Sequence, residues 1–104
     1  MSARTILKHV LRPADGVTEV NVPTGSEVRH VGYDPNNLLC LWIEQPVIGK
    51  GDVTKIEMQA RRFAIVATGG DLPKVDHSAD WHPIYCGTAA APGQQHVWHV
   101  YEVA

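Results

Sequence analysis

Between positions 76 and 82 the chain reads Asp-His-Ser-Ala-Asp-Trp-His. Two imidazoles and two carboxylates in seven residues offer nitrogen and oxygen donors to a divalent metal, or partners for proton transfer. His77 and His82 are five apart, which does not match the i, i+4 spacing of a helical zinc pair. The same residues also suit a plain solvated loop. A third use is recognition, because binding residues favour loops on rigid scaffolds. In that reading Trp81 is the aromatic anchor, a residue type enriched at interaction hot spots. Asp76 and Asp80 set a negative charge that favours a basic or amine-bearing partner, with His77 and His82 alongside. Trp81 reads equally well as a lid packed over one end of a sheet.

Other chemistry-bearing residues give weaker patterns. His96 and Trp98 fall on one face of a strand pattern, and His99 and Tyr101 on the other. A histidine beside an aromatic ring is half of an acid–base pair, or simply a satisfied strand residue. No serine or cysteine sits in a Gly-x-Ser-x-Gly setting. Thr68-Gly69-Gly70 lacks the Gly-Lys-Ser/Thr ending of a phosphate loop. Arg61-Arg62 offers guanidinium groups to a phosphate or carboxylate, or to solvent. Cys40 lies in Leu-Leu-Cys-Leu-Trp-Ile and reads as a small buried hydrophobe. Cys86 has no basic neighbour in sequence to lower its pKa and is read the same way. These residues imply no assembled catalytic constellation, no resident metal and no cofactor.

The elements that must position these groups are strands. Val, Ile and Thr supply 25 of 104 residues, and β-branched side chains suit a pleated sheet. Seven Pro and nine Gly leave few long uninterrupted stretches. The expected strands run over 5–11, 17–22, 27–33, 38–44, 62–68, 84–89 and 96–103, with 53–60 as a less certain eighth or a single helical turn. Turn signals fall between them at Pro13-Ala14-Asp15-Gly16, Pro23-Thr24-Gly25, Asp34-Pro35-Asn36-Asn37 and Ala90-Ala91-Pro92-Gly93. This spacing predicts an all-β fold, a small antiparallel sandwich or barrel of seven to eight short strands in one domain spanning 1–104. The nearly continuous apolar run at 38–44 predicts a strand covered on both faces. The expected core is Ile6, Val31, Leu39, Leu41, Trp42, Phe63, Ile65, Val66, Val97 and Trp98.

Nine basic and eleven acidic residues give a net charge of −2, which argues against a general nucleic-acid binder. All nine Lys and Arg precede position 75, so the last thirty residues are acidic and hold four of the six histidines. No apolar run reaches the length of a membrane span. Lys8 and His9 interrupt the N-terminal apolar stretch too early for a signal peptide. A cytoplasmic, reducing location with free thiols is therefore expected. An all-β chain has edge strands to cover, and pairing across an edge in a C2 homodimer is one solution.

Four local sequences stand together in order: Leu39-Cys40-Leu41-Trp42, Arg62-Phe63-Ala64-Ile65-Val66-Ala67-Thr68-Gly69, Tyr85-Cys86-Gly87-Thr88 and Val97-Trp98-His99-Val100-Tyr101-Glu102. They follow Thr5-Ile6-Leu7-Lys8 and the Val22-Pro23-Thr24-Gly25 turn. Across nearly the whole chain this resembles a family of small uncharacterised phage and prophage proteins, of the type found in actinobacteriophages. Tyr101 stands where that family usually has Phe, and Ala67 where Gly is common. The resemblance implies a phage accessory protein in the cytoplasm of the bacterial host, with no assigned chemistry. The expected function is non-enzymatic: binding and modulating a host bacterial protein, or sequestering a host signal. The alternatives are a small metal-dependent or acid–base enzyme using the 76–82 loop, and a virion-associated β domain.

Overall fold

Asp34 shows how the turns are built. Its Oδ1 accepts the backbone N–H groups of Asn36 and Leu38, both at 2.9 Å, and its own carbonyl accepts that of Asn37. Asn37 takes the left-handed conformation at φ 60°, which Asn tolerates better than most side chains. The chain thereby reverses between two strands, with Tyr33 opposite Leu39.

The computed structural model describes residues 3–47, 56–72, 83–93 and 96–103. Seven strands are present among them: β1 (Arg4–Val10), β2 (Val17–Pro23), β3 (Glu27–Tyr33), β4 (Leu39–Pro46), β5 (Met58–Ala67), β6 (Ile84–Ala90) and β7 (Val97–Val103). A 3₁₀ turn at Pro13–Asp15 joins β1 to β2, and Gly16 leaves it at φ 75°, a conformation glycine adopts without steric cost. The strands form two antiparallel sheets, ordered β1-β4-β3 and β2-β5-β7-β6. The architecture is an all-β sandwich.

Alternation assigns the faces. Leu39, Leu41 and Ile43 of β4 meet Val20 and Val22 of β2, Phe63 and Ile65 of β5, Val31, Ala89 and Val100 in one core cluster. The opposite face of β4 is only partly covered, and by its own sheet: Cys40 is buried there, but Trp42 and Glu44 are half-buried. The His30 ring lies 5.4 Å from Trp42, Arg4 and Arg29 both bind Glu44, and fully buried Cys40 sits near the Lys8–Asp34 ion pair. At one end of the sandwich Arg61 forms a bidentate pair with Glu102, at 2.7 and 2.6 Å, and donates to the Ser26 carbonyl at 2.6 Å. Among the described residues no buried side-chain nitrogen or oxygen lacks a hydrogen-bond partner.

Three details differ from the sequence expectations. Ile6 is not core but 54% exposed, because β1 is the edge of the smaller sheet and the outward register of Ile6 faces away from the sandwich. Trp42, Val97 and Trp98 are half-buried rather than fully enclosed. The stretches at 53–60 and 62–68 contribute to one ten-residue strand, β5, since no Pro or Gly falls between Met58 and Ala67 to break it. Residues 53–55 lie outside the described residues.

Candidate functional site on the outer face of the larger sheet

The five residues selected for recognition, Asp76, His77, Asp80, Trp81 and His82, all lie outside the described residues. The structure instead assembles a polar network next to where that segment begins. In the register of the larger sheet, His99 on β7 stands opposite Val66 on β5 and Thr88 on β6. All three lie on the face opposite that of Ile65 and Val100, where Val66 is nonetheless buried. Thr68 lies two residues beyond Val66, so its hydroxyl comes diagonally onto the same face.

His99 is held at both ring nitrogens. Its Nε2 is 2.8 Å from Thr68 Oγ1, and its Nδ1 is 2.9 Å from Thr88 Oγ1. The Tyr85 hydroxyl continues the chain to Thr88 Oγ1. Tyr85 and Thr88 are three apart, and strict alternation would place them on opposite faces. A register shift between Tyr85 and Gly87 brings both to the outer face. The Tyr85 ring packs edge-on against Tyr101, 5.4 Å between centroids, directly opposite it on β7.

A cleft of about 360 Å³ opens beside this row. Val66, Thr68, His99 and Tyr101 line it from the sheet, and Asp71 and Leu72 line it from the turn after β5. Gly69, at φ 86°, makes the turn that carries Asp71 over the sheet. Leu72 is the last described residue before the 73–82 segment.

The chemistry available follows from the partners. A neutral imidazole donates at one nitrogen and accepts at the other, so the Thr68 and Thr88 hydroxyls orient in a fixed sense along the chain. The Thr68–His99 distance is that of a nucleophile and its base. However, a hydroxyl, not a carboxylate, orients the imidazole from behind. No carboxylate among the described residues hydrogen-bonds His99. The arrangement is suited to presenting hydroxyl and carboxylate groups to a ligand, with the His99 imidazole holding the hydroxyls in place. No group of three His, Cys, Asp or Glu among the described residues could hold a metal ion. No helix among them is long and apolar enough to cross a membrane.

Neither cysteine sits where a thiolate is favoured. Burial pushes the Cys86 thiol up to about 11, and burial followed by the nearby Asp34 charge raises that of Cys40. Both stay protonated near neutral pH, in accord with their reading as small hydrophobes.

Residues 2–104 match the family model described as a domain of unknown function, DUF7352. The chain belongs to this family. No curated protein and no solved structure matches it. Membership of the DUF7352 family covers all seven strands, so the row from Tyr85 to Thr68 and its cleft lie wholly within the family's domain.

Sequence reasoning placed His99 and Tyr101 on one face and stopped there. Thr68, Thr88 and Tyr85 were missed as members of one site. Their meeting depends on the pairing of β5, β7 and β6 and on the bulge in β6. No spacing in the sequence encodes those features.

Proposed function

We propose that the chain is a non-catalytic binding domain that takes a small polar ligand in the cleft over His99. One observation carries this reading: an imidazole with both nitrogens fixed by threonine hydroxyls, beside a cleft that has the Asp71 carboxylate on its wall. The Thr68 hydroxyl, positioned by His99, keeps capacity for one more hydrogen bond, Asp71 favours an amine or hydroxyl donor, and Leu72 and Tyr101 offer apolar surface. The resemblance to phage proteins supports a role in the host cytoplasm, where such a domain would sequester a small host signal. A host protein as the partner is the second reading. It is favoured by Ile84 and Tyr85, which are 60% and 56% exposed on β6, the edge strand of the larger sheet next to β7.

The test is native mass spectrometry of the folded chain after incubation with a small-molecule extract of host cells. A bound species is expected with the wild-type chain. Its occupancy should fall about tenfold or more in Thr68→Val, which removes the hydroxyl, and in Asp71→Asn, which removes the carboxylate charge. A bound species that survives both substitutions would move the site elsewhere. No bound species, together with capture of one host protein lost on Tyr85→Ala, would favour the second reading.

A further inference from the structure

The free edge of β1 is unlike the rest of the surface. Ile6, Leu7 and Val10 are 54%, 45% and 42% exposed, on both faces of one seven-residue strand. No described strand pairs with its outer side. Exposed apolar edge strands are templates for pairing with another chain, and charged side chains usually guard them. Here the two cations on β1 are each drawn into an ion pair within their own sheet. Lys8 Nζ is 2.7 Å from Asp34 Oδ2, and Arg4 Nε is 2.6 Å from Glu44 Oε2. Both cations keep part of their side chains exposed, so a partner strand must avoid setting its own cations opposite them.

The main chain fixes the register that such a partner must adopt. The N–H of Val47 donates to the Ala3 carbonyl, and that of Leu11 to the Leu39 carbonyl, at 2.9 and 2.8 Å. Both pairs extend the β1–β4 register, in which Leu7 faces Ile43. Antiparallel pairing alternates, so the odd-numbered residues from Ala3 to Leu11 turn their N–H and C=O groups toward β4. Arg4, Ile6, Lys8 and Val10 therefore turn theirs to the open edge.

A second copy of β1 approaching antiparallel can bond only through those four even positions. Centring the pairing on Ile6 sets Arg4 against Lys8 of the other copy. Centring it on Lys8 sets lysine against lysine. Centring it on Leu7 uses all seven residues, sets Arg4 against Val10 and Ile6 against Lys8, and brings the two Leu7 side chains together on the axis. Like charges directly opposite one another destabilise a sheet pair, and apolar pairs stabilise it. Only the Leu7-centred register is both full-length and free of opposed cations.

We infer that the protein is a two-fold homodimer through antiparallel pairing of β1 with β1 of a second copy, centred on Leu7. Two three-stranded sheets thereby join into one continuous sheet of six strands, ordered β3-β4-β1-β1-β4-β3, with about eight new main-chain hydrogen bonds at the seam. The larger sheet and its cleft are left uncovered on both copies, so the dimer does not depend on the ligand reading.

Light scattering on the purified full chain gives the first result: a mass twice the 11.4 kDa of one chain is expected at tens of micromolar. Leu7→Cys should then form an interchain disulfide rapidly under mild oxidation, because its Cβ atoms face each other across the axis at a non-hydrogen-bonded pair. Ile6→Cys, offset from the axis, should form it at least tenfold more slowly. The native thiols do not interfere, since Cys40 is buried and Cys86 is held protonated. Ile6→Pro removes one seam N–H and no β1–β4 bond, so it should give a folded monomer, as should Leu7→Arg. A monomeric wild-type chain overturns the proposal. A dimer that Leu7→Cys fails to cross-link also overturns it, and so does one that survives Leu7→Arg.

Discussion

Asp34 is buried to its carboxylate oxygens, yet it carries a charge, and the reason is local. Lys8 and the N–H groups of Leu38 and Asn36 all donate to it and hold its carboxyl below the usual carboxylate range. A depressed carboxylate contributes stability above its unfolded pKa of about 3.9 and loses it as pH falls through the lower folded value. Asp34→Asn should therefore lower the melting temperature by a constant amount from neutral pH to about pH 5, with the gap narrowing below about pH 4. An equal gap at pH 7 and in strong acid would show that the carboxylate charge is not what matters. The turn itself was legible in Asp-Pro-Asn-Asn. The partner was not, because Lys8 lies 26 residues away and meets Asp34 only when β1 and β3 flank β4. The thiols give a second expectation at this scale. With a pKa of about 11, Cys86 is thiolate to only about one part in a thousand at pH 8, so alkylation of the folded chain should be slow. Rapid modification without unfolding would place Cys86 in a different environment.

Strand existence and alternation were legible because turn residues punctuate β-branched runs, and β3 begins and ends where its sequence pattern does. What alternation cannot reveal is a strand's place in its sheet. Ile6 and Leu41 look alike as apolar strand residues, but β1 is an edge and β4 is the centre of the same sheet. The energetic consequence is large. Leu41 and Phe63 are fully buried, so Leu41→Ala and Phe63→Ala should each cost about 2–5 kcal/mol in denaturant unfolding. Ile6→Ala, measured at a dilution where the chain is monomeric, should change stability by no more than about 0.5 kcal/mol. Similar losses at all three positions would mean that β1 is covered from both sides. The candidate site obeys the same logic. His99 was visible in the sequence. Its alignment with Thr68 and Thr88 requires the β5-β7-β6 order, and the union with Tyr85 requires a bulge, so neither could be read from spacing.

At the scale of the whole molecule, the relation between the two sheets is set where they come closest. A Cβ at Gly87 on β6 would stand 2.9 Å from both Cβ and Cγ2 of Val31 on β3, closer than carbon atoms pack without displacement. Gly87 thus lets the edge of the larger sheet settle against β3, next to where Arg61 reaches from Glu102 to the Ser26 carbonyl. Neither contact is visible in the sequence, since a glycine in a strand signals a close approach without naming what approaches. Gly87→Ala should cost about 1–3 kcal/mol, the usual range for inserting a methyl into a packed interior. Val31→Ala removes the Cγ2 atom but keeps the Cβ, so it relieves only part of the overlap. The double variant should therefore be less destabilised than the sum of the two single variants, yet less stable than Val31→Ala alone. Strict additivity in that cycle would show that position 87 does not press on Val31, and that the sheets are held apart by something other than this contact.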